Sequence, residues 1–262
     1  MFNFDFVKPS TIADAVAAMA QDGAQALSGG QTLTPTMKQR LASPSVLVSL
    51  TGIAEMKGVC LGADGLSIGG ATTHATVAAE ARAHYPALAD LAANIGDPMV
   101  RNRGTIGGSV ANNDPAACYP SAVLASAATV VTNKRKIAAD DYFQGMFSTA
   151  LDEGEFITGV TFPVPEKAAY VKFNQPASRF ALTGVFVAKY ASGVRVAVTG
   201  ASNNGVFRWT EAEAALSASF SAAAVEGLTV SADDLITDLH GTAAYRANLV
   251  KVLTKRAVAG AK

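Results

Sequence analysis

The sequence predicts an α+β protein built as two or three units sharing a core, and three observations carry that prediction. The first fifty residues alternate strand and helix patterns in a βαβ-like order, which makes a small parallel sheet. A polar, glycine-rich stretch from Arg101 to Pro120 (RNRGTIGGSVANNDPAACYP) interrupts the middle of the chain. The last third carries strand patterns joined by a tight turn and then a long helical pattern, as expected of an antiparallel sheet backed by helices.

Taken in order, Phe2, Phe4 and Phe6 alternate with Asn3 and Asp5, the period of a half-buried strand, which Pro9 ends. Thr11 caps a helix with Asp14 as its acidic partner, and Ile12, Val16 and Met19 fall on one helical face. Asp22-Gly23 stops that helix, and Ala24 to Leu27 is a strand running into Ser28-Gly29-Gly30-Gln31-Thr32. Thr34-Pro35 opens a turn or helix through Leu41, and Val46 to Leu50 is a strand. Leu66 to Ile68 is a strand. Thr72 to Ala83 and Pro86 to Asn94 are helices, the second with a Leu88, Leu91, Ile95 stripe and Gly96 as its stop. Arg101 to Pro120 reads as a loop, with Pro120 breaking any helix that Asp114-Pro115 caps, so that a helix restarts near Ser121. Ala128 to Thr132 and Lys136 to Ala138 form a hairpin around Asn133, and Phe156 to Phe162 is a strand ended by Pro163. Tyr170 to Phe173, Thr183 to Tyr190 and Val194 to Ala201 are strands, with Ser192-Gly193 as the turn of the last hairpin. The pattern is helical after Trp209. The final helix, Thr242 to Ala259, places Tyr245, Leu249, Val252 and Leu253 on one face, with Lys255 and Arg256 near its C-terminal end.

Composition excludes several classes. Lys+Arg and Asp+Glu are equal at 21 each, so no net field draws nucleic acid or an anionic membrane. Charged residues are only 16% and hydrophobic residues 50%, which fits a subunit that hides surface against partners as well as an alanine-rich protein of ordinary surface. The two cysteines, Cys60 and Cys118, are far apart and form no CxxC, so an iron–sulfur or zinc site held by this chain alone is not expected. Such sparse cysteine fits a reducing cytoplasm. The opening MFNFDFVKPS is no signal peptide, and no apolar run approaches the roughly 20 residues that cross a bilayer.

The candidate chemistry lies in two Gly-Gly loops. In Ser28 to Thr32, paired glycines let the backbone approach a ligand with its N–H groups turned inward, and a following helix start favours phosphate. An ordinary turn is the alternative. The spacing is neither GxGxxG nor GxxxxGK[ST], so Rossmann and P-loop readings fail. Thr105-Ile106-Gly107-Gly108-Ser109 repeats the pattern. Arg101 and Arg103 either contact phosphate or pair with carboxylates to brace the loop. His74 braces a loop near the ligand or is a satisfied structural histidine. His84 and His240 read as surface or capping residues. No Ser-His-Asp or Cys-His pairing exists by spacing.

Those residues carry a resemblance. LSGGQTLTPTMKQRLASPSVLVSL and IGDPMVRNRGTIGGSVANNDPAACYPSAVLA resemble the FAD-binding medium subunit of molybdenum hydroxylases, a family that includes flavoprotein subunits of aerobic carbon monoxide dehydrogenase and of xanthine, nicotine and aldehyde dehydrogenases. The likeness continues through IGGATTHATVA, GEFITGVTFPVP and DLHGTAAYRANLVKVLTKRAV. It implies an FAD-binding PCMH (vanillyl-alcohol-oxidase-like) domain of two subdomains, residues 1–56 and 57–166, and a C-terminal α+β domain, 167–262, with a three-stranded antiparallel sheet and helices. Ala26, Leu27, Ser28, Gly29, Gly30, Gln31, Thr32 and Leu33 are then expected to cradle the pyrophosphate. Thr105 to Ser109 wrap the other side of the cofactor, and Ile95 and Ile157 are apolar flavin contacts. Asp114 opens the DPAA step; an acidic flavin contact usually follows that step in relatives, and here Cys118 stands there, as a weak thiol donor or a small apolar residue. Near Phe173 some relatives carry a lysine that reaches the flavin; here Asn174 occupies the matching position and Lys172 lies two residues before. Ser28 and Gln31 replace the Ala and His of some relatives.

The implied function is redox relay within a heterotrimer. Non-covalent FAD on this chain passes electrons from two [2Fe-2S] clusters of a small subunit to quinone, NAD or oxygen, and a large subunit holds the molybdopterin cofactor. The assembly is expected to be a dimer of heterotrimers in the cytoplasm. No side chain need act as general acid or base, and no metal ligand is expected on this chain. The alternatives are a stand-alone flavoprotein oxidase or reductase of the same fold and a nucleotide-binding scaffold without redox role.

Overall fold

In the computed structural model, which describes residues 1–262, three sheets follow one another along the chain. The first is parallel, with Val46–Ser49 between Asp5–Val7 and Ala24–Leu27. All four residues of that central strand are buried, as expected of a parallel strand covered on both faces. Thr11 caps the helix Ile12–Met19, its Oγ1 accepting the Asp14 N–H at 3.1 Å. Two expectations are corrected here. Phe2 and Phe6 are 52% and 56% exposed, because Val7 rather than Phe6 packs with Ile12, Ala15 and Met19. Val16 also points outward, and the buried stripe runs through Ala15 and Ala18, whose small side chains seat the helix close to the sheet. The next helix is Leu33–Lys38, beginning at Thr32 rather than Thr34. Pro35 sits in its first turn, where the missing N–H costs nothing.

The second sheet is antiparallel, ordered Val59–Gly62, Gly65–Gly69, Ile157–Phe162, Thr129–Thr132, Lys136–Ala138. Its edge strand Val59–Gly62 has no apolar alternation to betray it, since three of its four residues face solvent. Between Gly69 and Thr129 the chain makes the helices His74–Glu80, Pro86–Ala93, Pro98–Arg101, Ile106–Asn112 and Tyr119–Ala125. The helix expected from Thr72 to Ala83 is thus α only to Glu80 and 3-10 over Ala81–Ala83. The glycine-rich stretch is also more regular than a loop. Its segment Ile106–Asn112 is helical, with Ile106 and Val110 fully buried in the largest core, and Asn113 ends it in the left-handed region at φ 42°. No helix runs on from Asp114, and the next one restarts at Tyr119, close to the expected Ser121, with Pro120 in its first turn. A short helix, Ala139–Tyr142, and a small ribbon, Phe143–Gly145 with Ser148–Thr149, close this unit.

The third sheet is antiparallel: Lys167–Asn174, Ala181–Tyr190, Gly193–Thr199 and Phe207–Arg208. The last strand has two residues and extends the three-stranded sheet expected from sequence. Thr210–Ala218 and Ala243–Gly260 pack on it through Ala212, Leu216, Leu249, Val250, Leu253 and Ala257. Tyr245 is 41% exposed, resting edge-on against Phe173 rather than joining the buried face. Lys255 pairs with Glu226. No helix is long and apolar enough to cross a membrane.

Candidate functional site

A cavity of about 610 Å³ opens where the three units meet. The parallel sheet contributes Ala24 to Leu33, the second unit contributes Thr105, Gly107 to Ser109, Asp114 and Cys118, and the third contributes Lys172 and the turn Ser178 to Phe180. Of the residues expected to bind the cofactor, Ile106 and Asn174 lie outside this lining. Ile106 is fully buried in the core beneath, since the helical twist that brings Gly107 and Gly108 to the cavity turns its side chain inward. Asn174 ends its strand just past a register shift after Phe173, which takes it off the face on which Lys172 meets the cavity.

The two Gly-Gly loops are alike in sequence but differ in hydrogen bonding. In the first, six consecutive backbone N–H groups, Ser28 to Leu33, donate to no acceptor in the chain. Ser28, Gly29, Gly30 and Leu33 are buried or half-buried and Gln31 and Thr32 exposed; unpartnered donors away from water are rare, and such a row on a cavity wall is an anion-sized set of dipoles. In the second, four of the five N–H groups are used: Ile106 donates to Thr72 O, Gly107 to Gly70 O, Gly108 to Thr105 Oγ1 and Ser109 to Thr105 O, and only the Thr105 N–H has no acceptor. Its glycines serve close packing, for a Cβ on Gly107 would lie 2.6 Å from Gly70 O. The second loop supports the first. Thr105 Oγ1 donates to Ser28 Oγ at 2.8 Å, and Gly29 lies so close to the Arg103–Gly104 peptide that a Cβ would sit 2.1 Å from Arg103 O.

Arg101 braces this region through carbonyls rather than carboxylates, donating from Nη1 to Ile95 O and Gly96 O at 3.0 Å each. Arg103 is exposed and outside the lining. His74 lines the cavity and is not a satisfied structural histidine: it is 4% exposed and its Nδ1 has no partner. Burial, with a smaller effect of the Arg101 charge, lowers its pKa from 6.5 to about 4. The ring stacks obliquely on Tyr119 at 5.3 Å. Since the folded-state pKa is depressed, the stability gained by burying neutral His74 is present above pH 6.5 and is lost as pH falls toward 4. Over that window the loss is expected to reach roughly 3 kcal/mol. Urea unfolding at pH 7 and pH 4.5 measures it; a His74→Gln variant should show a correspondingly flatter pH dependence.

Cys118 is 5% exposed, and its Sγ stands 3.7 Å from Lys172 Nζ. It therefore both packs in the core and meets the cavity. Asp114 Oδ1 accepts the Ala116 N–H at 2.8 Å, while burial raises its pKa. Sequence reasoning missed Glu155. Its burial favours the neutral carboxyl, but Arg135, the Asp152 N–H and Thr132 outweigh that and hold its pKa near 2. Gly70, Ala116, Ala117, Arg179 and Phe180 were also missed. Nothing local marks these small or surface-type residues; only the meeting of distant segments does.

The cavity fits the pyrophosphate-bearing cofactor implied by the loops, with free backbone donors on one side and Ile95, Phe156 and Ile157 among its apolar walls. Comparison with known proteins agrees. Residues 2–165 match the family described as the FAD binding domain in molybdopterin dehydrogenase. The chain is 32% identical to the carbon monoxide dehydrogenase medium chain of Afipia carboxidovorans, over 99% of this chain and 97% of that one. It is 34% identical to the nicotine 6-hydroxylase medium subunit of Paenarthrobacter nicotinovorans, over 98% and 97%. Among solved structures, carbon monoxide dehydrogenase from Hydrogenophaga pseudoflava superposes with a TM-score of 0.88 at 31% identity, over 98% of this chain and 96% of that chain. This protein belongs to the family of FAD-binding chains of molybdopterin dehydrogenases.

Proposed function

We propose that this chain is the FAD-carrying subunit of a heterotrimeric molybdenum hydroxylase, taking electrons from [2Fe-2S] clusters of a small subunit and delivering them to an external acceptor. The observation that carries the reading is the row of free N–H groups from Ser28 to Leu33 on the cavity wall. Backbone dipoles bind a pyrophosphate without a charged side chain, and a helix begins at the end of the row. Bound FAD supplies the redox chemistry, accepting and releasing one or two electrons. The chain's residues hold and shield it. Thr105 fixes the Ser28 hydroxyl and with it the geometry of the donor row. Ile95 and Ile157 present apolar surface, Gln31 and Thr32 add polar side chains, and Asp114, Cys118 and Lys172 complete the polar part of the lining.

The three sheets correspond to two FAD-binding subdomains, residues 1–56 and 57–166, and a C-terminal domain, 167–262. Relatives named as medium chains support a complex with a large and a small subunit; in this reading the large subunit holds the molybdopterin cofactor, the small one the iron–sulfur clusters, and the assembly is a dimer of heterotrimers in the cytoplasm. The test is reconstitution. The purified chain, or the complex it co-purifies with, should bind FAD tightly enough to quench flavin fluorescence at micromolar concentration and release it intact on acid precipitation. Absence of any FAD binding would overturn the reading.

A further inference from the structure

The charges on the cavity wall are unevenly compensated. Two carboxylates line it, Asp114 and Glu155, and Glu155 is already paired with Arg135, two of whose nitrogens lie 3.1–3.2 Å from its oxygens. Two cations line it as well, Lys172 and Arg179, and neither has a carboxylate within 4.0 Å. Lys172 is nonetheless held in place. Its Nζ donates to Asn94 O at 2.6 Å and Arg179 O at 3.0 Å, with Cys118 Sγ at 3.7 Å. These partners are two carbonyl dipoles and a thiol. They satisfy the ammonium's three N–H groups and fix its position, but none carries a charge that cancels it. A half-buried, immobile and uncompensated cation acts on its surroundings more strongly than a solvated one.

From this charge balance we propose that Lys172 sets the reduction potential of the bound cofactor, favouring its reduced, negatively charged form over the neutral oxidised form. The proposal rests on the FAD reading above. It assigns Lys172 a tuning role and no part in proton transfer. A structural role makes a different prediction, because tying the end of the helix Pro86–Ala93 to the turn at Arg179 would matter equally to both redox forms.

The experiment is a reductive titration of the flavin-loaded chain, or of its holo-complex, against a reference dye with dithionite as reductant. Lys172→Met is expected to weaken binding of reduced relative to oxidised FAD about tenfold, which for a two-electron couple is a potential lower by about 30 mV. Lys172→Arg, which keeps the charge, should stay within threefold of the unsubstituted protein. Lys172→Gln keeps an N–H donor at this position without the charge, and it should also lower the potential. Equal weakening of both redox forms by Lys172→Met, with the potential unmoved, overturns the proposal. If that variant does not hold flavin, Lys172→Gln decides alone, and an unchanged potential there overturns it. Failure of the unsubstituted chain to bind FAD would instead bring down the functional reading, and this inference with it.

Discussion

Replacing Gly29 with alanine is expected to lower the affinity for FAD at least tenfold. The added Cβ would lie 2.1 Å from Arg103 O, 2.6 Å from Gly104 Cα and 2.7 Å from Arg103 C. All three are backbone atoms, so no rotamer relieves the clash. Carbon atoms at rest sit about 3.5–4.0 Å apart, so the two loops must separate by on the order of 1 Å. That separation breaks the 2.8 Å bond from Thr105 to Ser28 and tilts the row of N–H donors away from a common target. Overpacking of this kind also costs stability, typically about 1–3 kcal/mol. Gly108→Ala is the control, since its Cβ would meet only Thr105 Oγ1 at 3.1 Å and the Ser28 Cβ at 3.9 Å. It should retain most of the affinity. FAD titration followed by fluorescence compares the three proteins, and equal affinity for Gly29→Ala would show that contact between the loops does not shape the site.

Arg246→Met should destabilise the chain by roughly 3–5 kcal/mol, the range for removing one partner of a buried charged network. Arg246 is 3% exposed on the helix Ala243–Gly260. It donates to Leu182 O at 2.5 Å and Gly200 O at 2.8 Å, both from Nη1, and pairs with the Asp238 carboxylate at 2.8 Å. One side chain thus ties the last helix to two strand ends and to the loop before it. Methionine fills much of the volume but removes the guanidinium from Gly200 O, from Leu182 O, which keeps only the Thr183 hydroxyl, and from the Asp238 carboxylate, which keeps only the His240 and Gly241 N–H groups. Denaturant unfolding measures the loss, and a double variant with Asp238→Asn should recover part of it. A loss below about 1 kcal/mol would place the network among surface pairs of little consequence. The same pairing helps hold the Asp238 pKa below its usual value, against burial, which raises it. Stability from this group is therefore present at neutral pH and lost on acidification.

Short-range physics made much of this protein legible from its sequence. The Thr11 cap, the strand Ala24–Leu27, the hairpin around Asn133 and the turn at Gly193 follow from residues within a few positions of one another. So do both glycine loops, because paired glycines beside hydroxyls describe close backbone approach wherever they occur. What the sequence could not decide is which partner each group meets. Alternation of Phe2, Phe4 and Phe6 announces a strand but not which face is covered, and Val7 took the inside. Pro120 marked where a helix restarts but not its first residue, which is Tyr119, since proline is tolerated within a first turn. The two Gly-Gly loops read alike, yet only one keeps an unbroken row of free N–H groups, because Gly70 and Thr72, some thirty-five residues upstream, supply carbonyls to the other. Lys172 and Asn174 are equally plausible by spacing, and a register shift between Phe173 and Asn174 took Asn174 off the cavity wall while Lys172, still in regular register, stayed on it. Local propensity determined the elements and the kind of ligand they suit; the tertiary structure decided which donors remain unpaired and which charge remains uncompensated, since both depend on contacts between segments far apart in the chain.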